Sequence, residues 1–356
     1  MPGGSPPKRR ARPRMPSRPE MTSSPAMAAA ATAPNDAGIE AAGVPRKAAR
    51  TSLRALVKTL RPHQWVKNIF VLAPIVFHKD VFLHTPLGPA LNLTVTGRAL
   101  AATGIFCLLA GAVYTINDLF DVVADRVHPI KRDRPIASGR VSEGAARAMA
   151  VGLVVASLAI SYWLAPLLAL VAFVYFAENL AYSFGLKNVA FLDVGLIAFG
   201  FVLRVLAGGI GTHVHVSGYM LACTLLLALF LGFGKRRHEL AFENAGRQRA
   251  ALEAYTARSL TIALALTGTA TAVTYVAYTL DPATRAAFNS NYLWLTAPFM
   301  AFGIVRFLML VGGRAGRGLK AESPTQEILR DVPFVLNLVV YAIVVMAIVY
   351  QLRPNT

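Results

Sequence analysis

Nine apolar runs of similar length recur after Trp65, and they constrain this chain more than any other feature. They cover roughly residues 66–83, 98–117, 145–164, 167–185, 189–208, 217–234, 259–280, 291–311 and 333–352. Each is close to the ~17–25 residues that a helix needs to cross a bilayer. At Ala165-Pro166 the pattern predicts a tight turn between two antiparallel helices rather than one long helix. The expected fold is all-α: a polytopic membrane helical bundle of about nine transmembrane helices.

Composition agrees. Hydrophobic residues make up 55% of the chain and charged residues 15%, against about 25% charged in a soluble domain. The net charge of +18 would otherwise suggest nucleic acid. Neither Cys/His zinc spacing nor an aromatic RNA-binding signature accompanies it, so no nucleic-acid partner is expected. Cys107 and Cys223 both sit inside apolar runs, which indicates neither a disulfide framework nor a metal site.

Residues 1–52 are rich in Pro, Ser, Ala and Arg without apolar periodicity and read as a disordered basic arm. The Ala-rich stretch around Ala28–Ala33 is short and lacks Leu or Val, so a cleaved signal is not expected. A start at an internal methionine such as Met21 would leave the rest unchanged. Residues 53–356 form the expected transmembrane domain.

Cytoplasmic loops retain Lys and Arg, and this sets the orientation. With the N-terminus inside, Arg126, Lys131, Arg132, Arg134 and Arg140 share one inner loop, followed by Lys187. Lys235, Arg236, Arg237, Arg247 and Arg249 share the next, and Arg314, Arg317, Lys320 and Arg330 the last. The opposite loops hold little more than Arg98, Arg285 and Arg353. The expectation is a multi-pass protein of a bacterial inner membrane whose active site faces the cytoplasm.

The sharpest local feature is Asn117-Asp118-Leu-Phe-Asp121-Val-Val-Ala-Asp125, at the inner end of the second run. Carboxylates three and four residues apart share one face of a helix. They repel one another and call for a cation, and hard oxygen ligands suit Mg²⁺ shared with substrate phosphates. Asp118, Asp121 and Asp125 are therefore the candidate metal ligands, with Asn117 beside them. Lys131 and Arg134 follow directly and can hold phosphate oxygens. Asp118, Asp121 and Lys131 are the candidate catalytic residues.

Other polar groups inside the runs need partners. Lys67, near Asn68 at the start of the first run, reads equally as a phosphate ligand and as a snorkelling anchor. Arg204 lies three turns beyond Asp193 in the fifth run, and a structural Asp193–Arg204 link is expected. Glu178, Asn179 and Tyr182 form a polar stripe that should face a central cavity, where Tyr182 can reach a substrate. His213 and His215 read as exposed loop residues without a metal, and Glu322–Glu327 has no assigned chemistry.

Arg61-Pro-His-Gln-Trp-Val-Lys67-Asn68, the Asn117–Asp125 motif and Lys131-Arg-x-Arg-Pro135 together resemble the UbiA-type intramembrane prenyltransferase superfamily. Within it, the Gln-Trp-Val-Lys-Asn opening and Gly234-Lys235-Arg236-Arg237-x-Glu239-Leu240 resemble the decaprenyl-phosphate phosphoribosyltransferase branch, which makes a lipid-linked pentose precursor of cell-wall arabinan. Tyr182-Ser-Phe-Gly-Leu-Lys187 and Leu203-Arg204-x-x-Ala-Gly-Gly209 match as well, and the likeness runs from about Arg61 to the C-terminus.

The resemblance implies a UbiA-like fold, Mg²⁺ as cofactor, and 5-phosphoribosyl 1-diphosphate and a polyprenyl phosphate as substrates within membrane lipid. Lys67, Asn68, Asn117, Arg134, Tyr182, Lys187, Lys235 and Arg236 become the candidate substrate-binding residues. One departure matters. Superfamily members that use isoprenyl diphosphates generally carry a second Asp-x-x-x-Asp cluster after the sixth span, where this chain reads Lys235-Arg236-Arg237-His238-Glu239. Cations in place of carboxylates fit a donor with an additional phosphate and weaken the alternative of an aromatic-acid prenyltransferase. A transporter or flippase of an anionic lipid is the alternative of another class, against which stands the absence of a convincing broken-helix repeat.

Overall fold

The computed structural model describes residues 52–77, 82–85, 88–242, 250–312 and 330–351. The basic arm to residue 51, the Glu322–Glu327 segment and several inner-loop cations, including Arg247, Arg249, Arg314, Arg317 and Lys320, lie outside the described residues.

The chain enters through α1 (Leu53–Thr59), capped by Ser52, whose side chain accepts from the Ala55 amide at 3.3 Å. A 3₁₀ segment, Pro62–Leu72, runs directly into α2 (Ala73–Phe77). A short antiparallel hairpin, β1 (Phe82–Thr85) with β2 (Gly88–Leu91), leads to α3 (Leu93–Phe120) and α4 (Val122–Val127). Then follow α5 (Glu143–Leu164), α6 (Pro166–Phe184), α7 (Leu192–Thr212), α8 (Gly218–Phe242), α9 (Ala250–Glu253), α10 (Ala257–Leu280) and α11 (Pro282–Phe288). The last two helices are α12 (Ala297–Val311) and α13 (Val332–Gln351).

Eight helices among the described residues are long and apolar enough to cross a membrane. They correspond to the second through ninth apolar runs. The first run takes a different form, the 3₁₀ segment continued by α2. Eleven residues at ~2.0 Å and five at ~1.5 Å give about 30 Å of helical path, comparable to the hydrocarbon thickness. Counting it, the bundle has about nine helical passes, and the chain is a multi-pass membrane protein.

Local chemistry explains the boundaries. Asn92 and Ser142 cap α3 and α5 through their side-chain oxygens, and Thr256 with Ser259 forms a capping box on α10. Ala165 turns extended, Pro166 takes the first position of α6, and the expected tight turn results. His213 in the left-handed region ends α7.

Two helices lie at the centre. The spanning windows of α3 and α7 are each 56% buried, against 17–28% for the other six. One core packs Phe106 and Leu109 of α3 against Leu168 and Tyr175 of α6 and Leu203 of α7; a second joins Val194, Phe230, Leu264 and Phe307 from α7, α8, α10 and α12. The outer helices expose large apolar side chains such as Trp163 and Leu266, as a lipid-facing surface requires. The 3₁₀ segment reaches α7 because position 208 is glycine: a Cβ there would collide with the Val71 carbonyl oxygen. Gly209 likewise leaves room for Val216.

Candidate active site

The two central helices carry Asn117, Asp118, Asp193 and Arg204, and the other polar residues singled out from the sequence lie on the segments around them. At the C-terminal end of α3 and in α4, Asp118 and Asp125 are 2% and 1% exposed. The Arg134 guanidinium bridges them, with Nη1 at 3.1 Å from Asp118 Oδ1 and 2.6 Å from Asp125 Oδ2. Arg61 Nη2 reaches the same Asp118 oxygen at 2.5 Å, and its guanidinium lies 5.1 Å from the Tyr114 ring centroid. Arg61 holds a left-handed backbone (φ 52°), which starts the 3₁₀ segment and turns its side chain toward α3.

The helix is not continuous through this cluster. It breaks at Asp121, which has φ −85° and ψ 1° and lies between α3 and α4. The amides of Asp121 and Asp125 still bond to the carbonyls four residues earlier, so the path stays helical in register. Asp121 is exposed, whereas Asp118 and Asp125 turn inward. The simple picture of three carboxylates on one straight helical face is thus corrected: two are joined by arginine and the third stands at the kink. Among the described residues no group of three His, Cys, Asp or Glu is gathered as a preformed metal cage. The donor set nevertheless fits Mg²⁺. Asn117, Asp118, Asp121 and Asp125 offer only hard side-chain oxygen ligands, and Mg²⁺ is usually held by one or two carboxylates plus phosphate and water.

Lys131 is exposed on a one-turn 3₁₀ segment, Lys131–Asp133, whose entry is fixed by His128 Nδ1 accepting from the Ile130 and Lys131 amides, both at 3.2 Å. The turn places Arg134 over the carboxylates and leaves Lys131 open. Lys187 lies half-buried in a similar turn after α6, and Tyr182 is half-buried on the last turns of α6.

The segment expected as a loop after the sixth span is instead helical: Lys235–Glu239 belong to the last turns of α8 (Gly218–Phe242). Lys235 is half-exposed, its Nζ 3.8 Å from Glu239 Oε1. Arg236 is 2% exposed. Its Nε lies 2.7 Å from Asp193 Oδ2, and Nη1 pairs with Glu239 Oε2. Tyr255 closes the network by donating to Asp193 Oδ1 at 2.6 Å and accepting from the Phe191 amide at 2.6 Å. Burial and the Asp193 carboxylate hold the Tyr255 hydroxyl protonated, well above its ordinary value. Two carboxylates already engage Arg236, so it fixes the end of α8 on α7 and is not an open phosphate ligand.

The expected Asp193–Arg204 link does not form. Eleven residues along one helix separate the two by about 16 Å, beyond the reach of an arginine. Arg204 instead donates from Nε to Asn68 Oδ1 at 2.9 Å, from Nη1 to the Gly200 carbonyl at 2.8 Å and from Nη2 to Tyr175 Oη at 2.8 Å. Asn68 is buried and also donates to Cys107 Sγ at 3.2 Å, so its amide ties the 3₁₀ segment to α3 and α7. Lys67, one residue earlier, belongs to the 3₁₀ segment. Its side chain is exposed, whereas that of Asn68 is buried. At the opposite end His213 is exposed, as expected, and joins Arg98, whose guanidinium also donates to the carbonyls of Gly211 and Leu164.

Beyond the charged end lies an apolar cavity of about 330 Å³, lined by Phe70, Met220, Leu227, Phe230, Phe334 and Leu338 among others. Sequence reasoning missed Arg61, Tyr175 and Tyr255 as parts of the polar framework. Arg61 opens the Arg-Pro-His-Gln-Trp motif, and that was its one available signal; Tyr175 and Tyr255 carry none.

Residues 71–320 match the UbiA prenyltransferase family model. Over 287 residues the chain is 37% identical to a decaprenyl-phosphate phosphoribosyltransferase of Mycolicibacterium smegmatis, covering 78% of this chain and 86% of that protein. The enzyme of that name from Corynebacterium glutamicum is 38% identical over 231 residues, 64% of this chain and 67% of that protein. In three dimensions the chain is similar to a UbiA homologue from Archaeoglobus fulgidus bound to DMAPP and Mg²⁺, with a TM-score of 0.59 at 17% identity over 84% of this chain and all of that one. Motifs, helical architecture and relatives converge: this chain belongs to the UbiA prenyltransferase family.

Proposed function

We propose that the protein is a membrane glycosyltransferase that moves 5-phosphoribose from 5-phosphoribosyl 1-diphosphate to a polyprenyl phosphate, releasing pyrophosphate, at the cytoplasmic face of a bacterial inner membrane. The observation that carries this reading is the charged end of the bundle: two buried carboxylates held by Arg61 and Arg134, with a cationic rather than acidic segment, Lys235-Arg236-Arg237, at the end of α8. The relatives named for this activity support the choice of substrates.

Asp118, Asp121 and Asp125, with Asn117, would hold Mg²⁺. When bound, the ion supplies charge neutralisation for the departing diphosphate. Arg61 and Arg134 already carry the positive charge that the carboxylates demand, and both guanidiniums match phosphate oxygens equally well. Their role is to turn from carboxylate to phosphate as the donor enters. Lys131 and Lys187 stand open at the same end for the remaining phosphates, as does Tyr182 on α6. Lys235 is steadied by Glu239, and Arg236 anchors the end of α8 to α7.

In the transfer a phosphate oxygen of the acceptor forms the new bond to C1 of the ribose. The C1–O bond to diphosphate breaks, and its electron pair leaves with pyrophosphate. The phosphate monoester is already anionic, so no general base is required. Positioning and charge stabilisation are the protein's contribution.

The test uses purified full-length protein, labelled 5-phosphoribosyl 1-diphosphate, Mg²⁺ and a C50 polyprenyl phosphate. Label is expected in the lipid phase with one pyrophosphate per transfer. Transfer of a prenyl group from an isoprenyl diphosphate to an aromatic acid, with no label in the lipid, overturns the reading. Lipid movement without pyrophosphate release would identify a transporter instead.

A further inference from the structure

Arg204 is an unusual charge to find at the middle of a membrane span. It is 8% exposed, yet three neutral acceptors, Asn68 Oδ1, the Gly200 carbonyl and Tyr175 Oη, take its hydrogen bonds. Among the described residues it forms no ion pair. Glu178 lies across Gly200 from it, but Glu178 Oε2 is engaged at 2.8 Å by the Asn179 amide and closes no bridge. A buried cation normally requires a counter-charge. Lys67 precedes Asn68, the residue that accepts from Arg204, and brings a second cationic side chain to this part of the bundle. Two cations thus stand near one carboxylate, Glu178, and among the described residues neither Lys67 nor Arg204 closes an ion pair.

Its position says what the missing anion belongs to. The Arg204 guanidinium stacks on Tyr175 at 4.8 Å and on Phe201 at 5.3 Å. Phe201 packs edge-on against Phe70 at 4.9 Å, and Phe70 lines the apolar cavity between the 3₁₀ segment and helices α8, α10, α12 and α13. Arg204 thus adjoins the apolar cavity through Phe201 and Phe70. It also adjoins the carboxylate cluster: Tyr114, about one turn deeper than Asp118 on α3, lies between Arg61 and Arg204 and feels both charges. An anion with a long apolar tail satisfies both halves of this arrangement.

We infer that Arg204 and Lys67 form the binding site for the phosphate of the polyprenyl phosphate acceptor, separate from the carboxylate and arginine cluster that takes the donor diphosphate, with the prenyl chain leaving past Phe70 into the apolar groove. This inference rests on the phosphoribosyl-transfer reading of the same bundle. Asn68 and Tyr175 are positioning residues: they hold the guanidinium fork through Nε and one Nη, leaving the remaining N–H donors to the phosphate. The arrangement sets the acceptor oxygen beside the donor site without a protein base.

The experiment separates lipid binding from turnover. Full-length protein in nanodiscs is titrated with a C50 polyprenyl phosphate and with the corresponding neutral polyprenol, in the absence of donor and Mg²⁺. The wild type is expected to prefer the phosphate by at least about tenfold, the usual effect of a charged hydrogen bond. Arg204→Gln and Lys67→Met should each lose most of that preference while polyprenol affinity stays unchanged. In the transfer assay both should raise KM for the acceptor and leave KM for 5-phosphoribosyl 1-diphosphate near the wild-type value. Lys67 makes no hydrogen bond or ion pair among the described residues, so Lys67→Met remains a fair test if Arg204→Gln fails to fold. A folded Lys67→Met that retains the full preference overturns the assignment. So does a KM rise confined to the donor, which would place the donor's 5-phosphate here instead. Phosphate-selective lipid binding in a wild-type protein that transfers no ribose would support the site while rejecting the reaction.

Discussion

Buried charge decides the chemistry of individual residues here. Asp118 and Asp125 share Arg134 across 3.1 and 2.6 Å, so removing either carboxylate leaves a guanidinium in search of a partner and disturbs the fold as well as the site. Asp121 is different because it is exposed at the kink between α3 and α4. Asp121→Asn should therefore reduce transfer at least about 100-fold, a loss comparable to that of a key electrostatic stabiliser, while the thermal unfolding midpoint stays within a degree or two of wild type. Calorimetry and the lipid-transfer assay check the two halves. The Asn-Asp-x-x-Asp-x-x-x-Asp motif was legible because hydrophilic residues at a membrane boundary stand out. The partners of Arg204 and Arg236 were not, because hydrogen-bond partners 29 and 136 residues away for Arg204, like the Asp193 partner of Arg236 on another helix, leave no trace in local spacing.

Two elements have sharp requirements of their own. The 3₁₀ segment Pro62–Leu72 carries Lys67 and Asn68 and rests on α7 through Gly208. Gly208→Ala would drive a methyl into the Val71 backbone carbonyl, which cannot rotate away. The expected result is a destabilisation of about 1–3 kcal/mol, read as a lower unfolding midpoint, together with weaker transfer as Asn68 shifts from Arg204. At the start of α13, Asp331 accepts from Arg306 Nε at 3.0 Å and Nη2 at 2.7 Å and caps the helix through the Phe334 amide at 2.9 Å. These bonds hold its carboxyl below the ordinary value of 3.8. A lowered folded-state pKa contributes stability above the unfolded value and loses it as pH falls through the folded one. Asp331→Asn should thus melt a few degrees earlier at pH 7, with the difference shrinking below pH 3.8 and vanishing once the pH passes the carboxyl's lower folded-state value. The apolar runs predicted eight of these helices well, since burial in lipid selects for uninterrupted hydrophobicity. They could not predict that the first run adopts 3₁₀ geometry, because hydropathy is blind to hydrogen-bond register.

At the scale of the whole molecule, the loops divide into two chemically distinct ends. One gathers Asp118, Asp125, Arg61 and Arg134, and the other is fastened by Arg98 to Gly211, Leu164 and His213. If the charged end is cytoplasmic, a cysteine placed at exposed Asn291, between α11 and α12, should react with a membrane-impermeant maleimide in intact cells, and one at exposed Arg132 only after the membrane is opened. The reverse pattern would invert the topology. The two native thiols, Cys107 and Cys223, lie partly buried within spanning helices and provide a low background.

The linear order of residues determined the membrane class, the helical spans, the charge asymmetry and the family motifs, because each depends on composition within one or two turns. Tertiary structure alone decided which charges are open to substrate and which are neutralised. Arg236 is closed by Asp193 and Glu239, whereas Arg204 is held by neutral groups and adjoins an apolar cavity through Phe201 and Phe70. The physical reason is that a buried charge takes its character from whatever packs against it, and in a bundle those neighbours come from other helices.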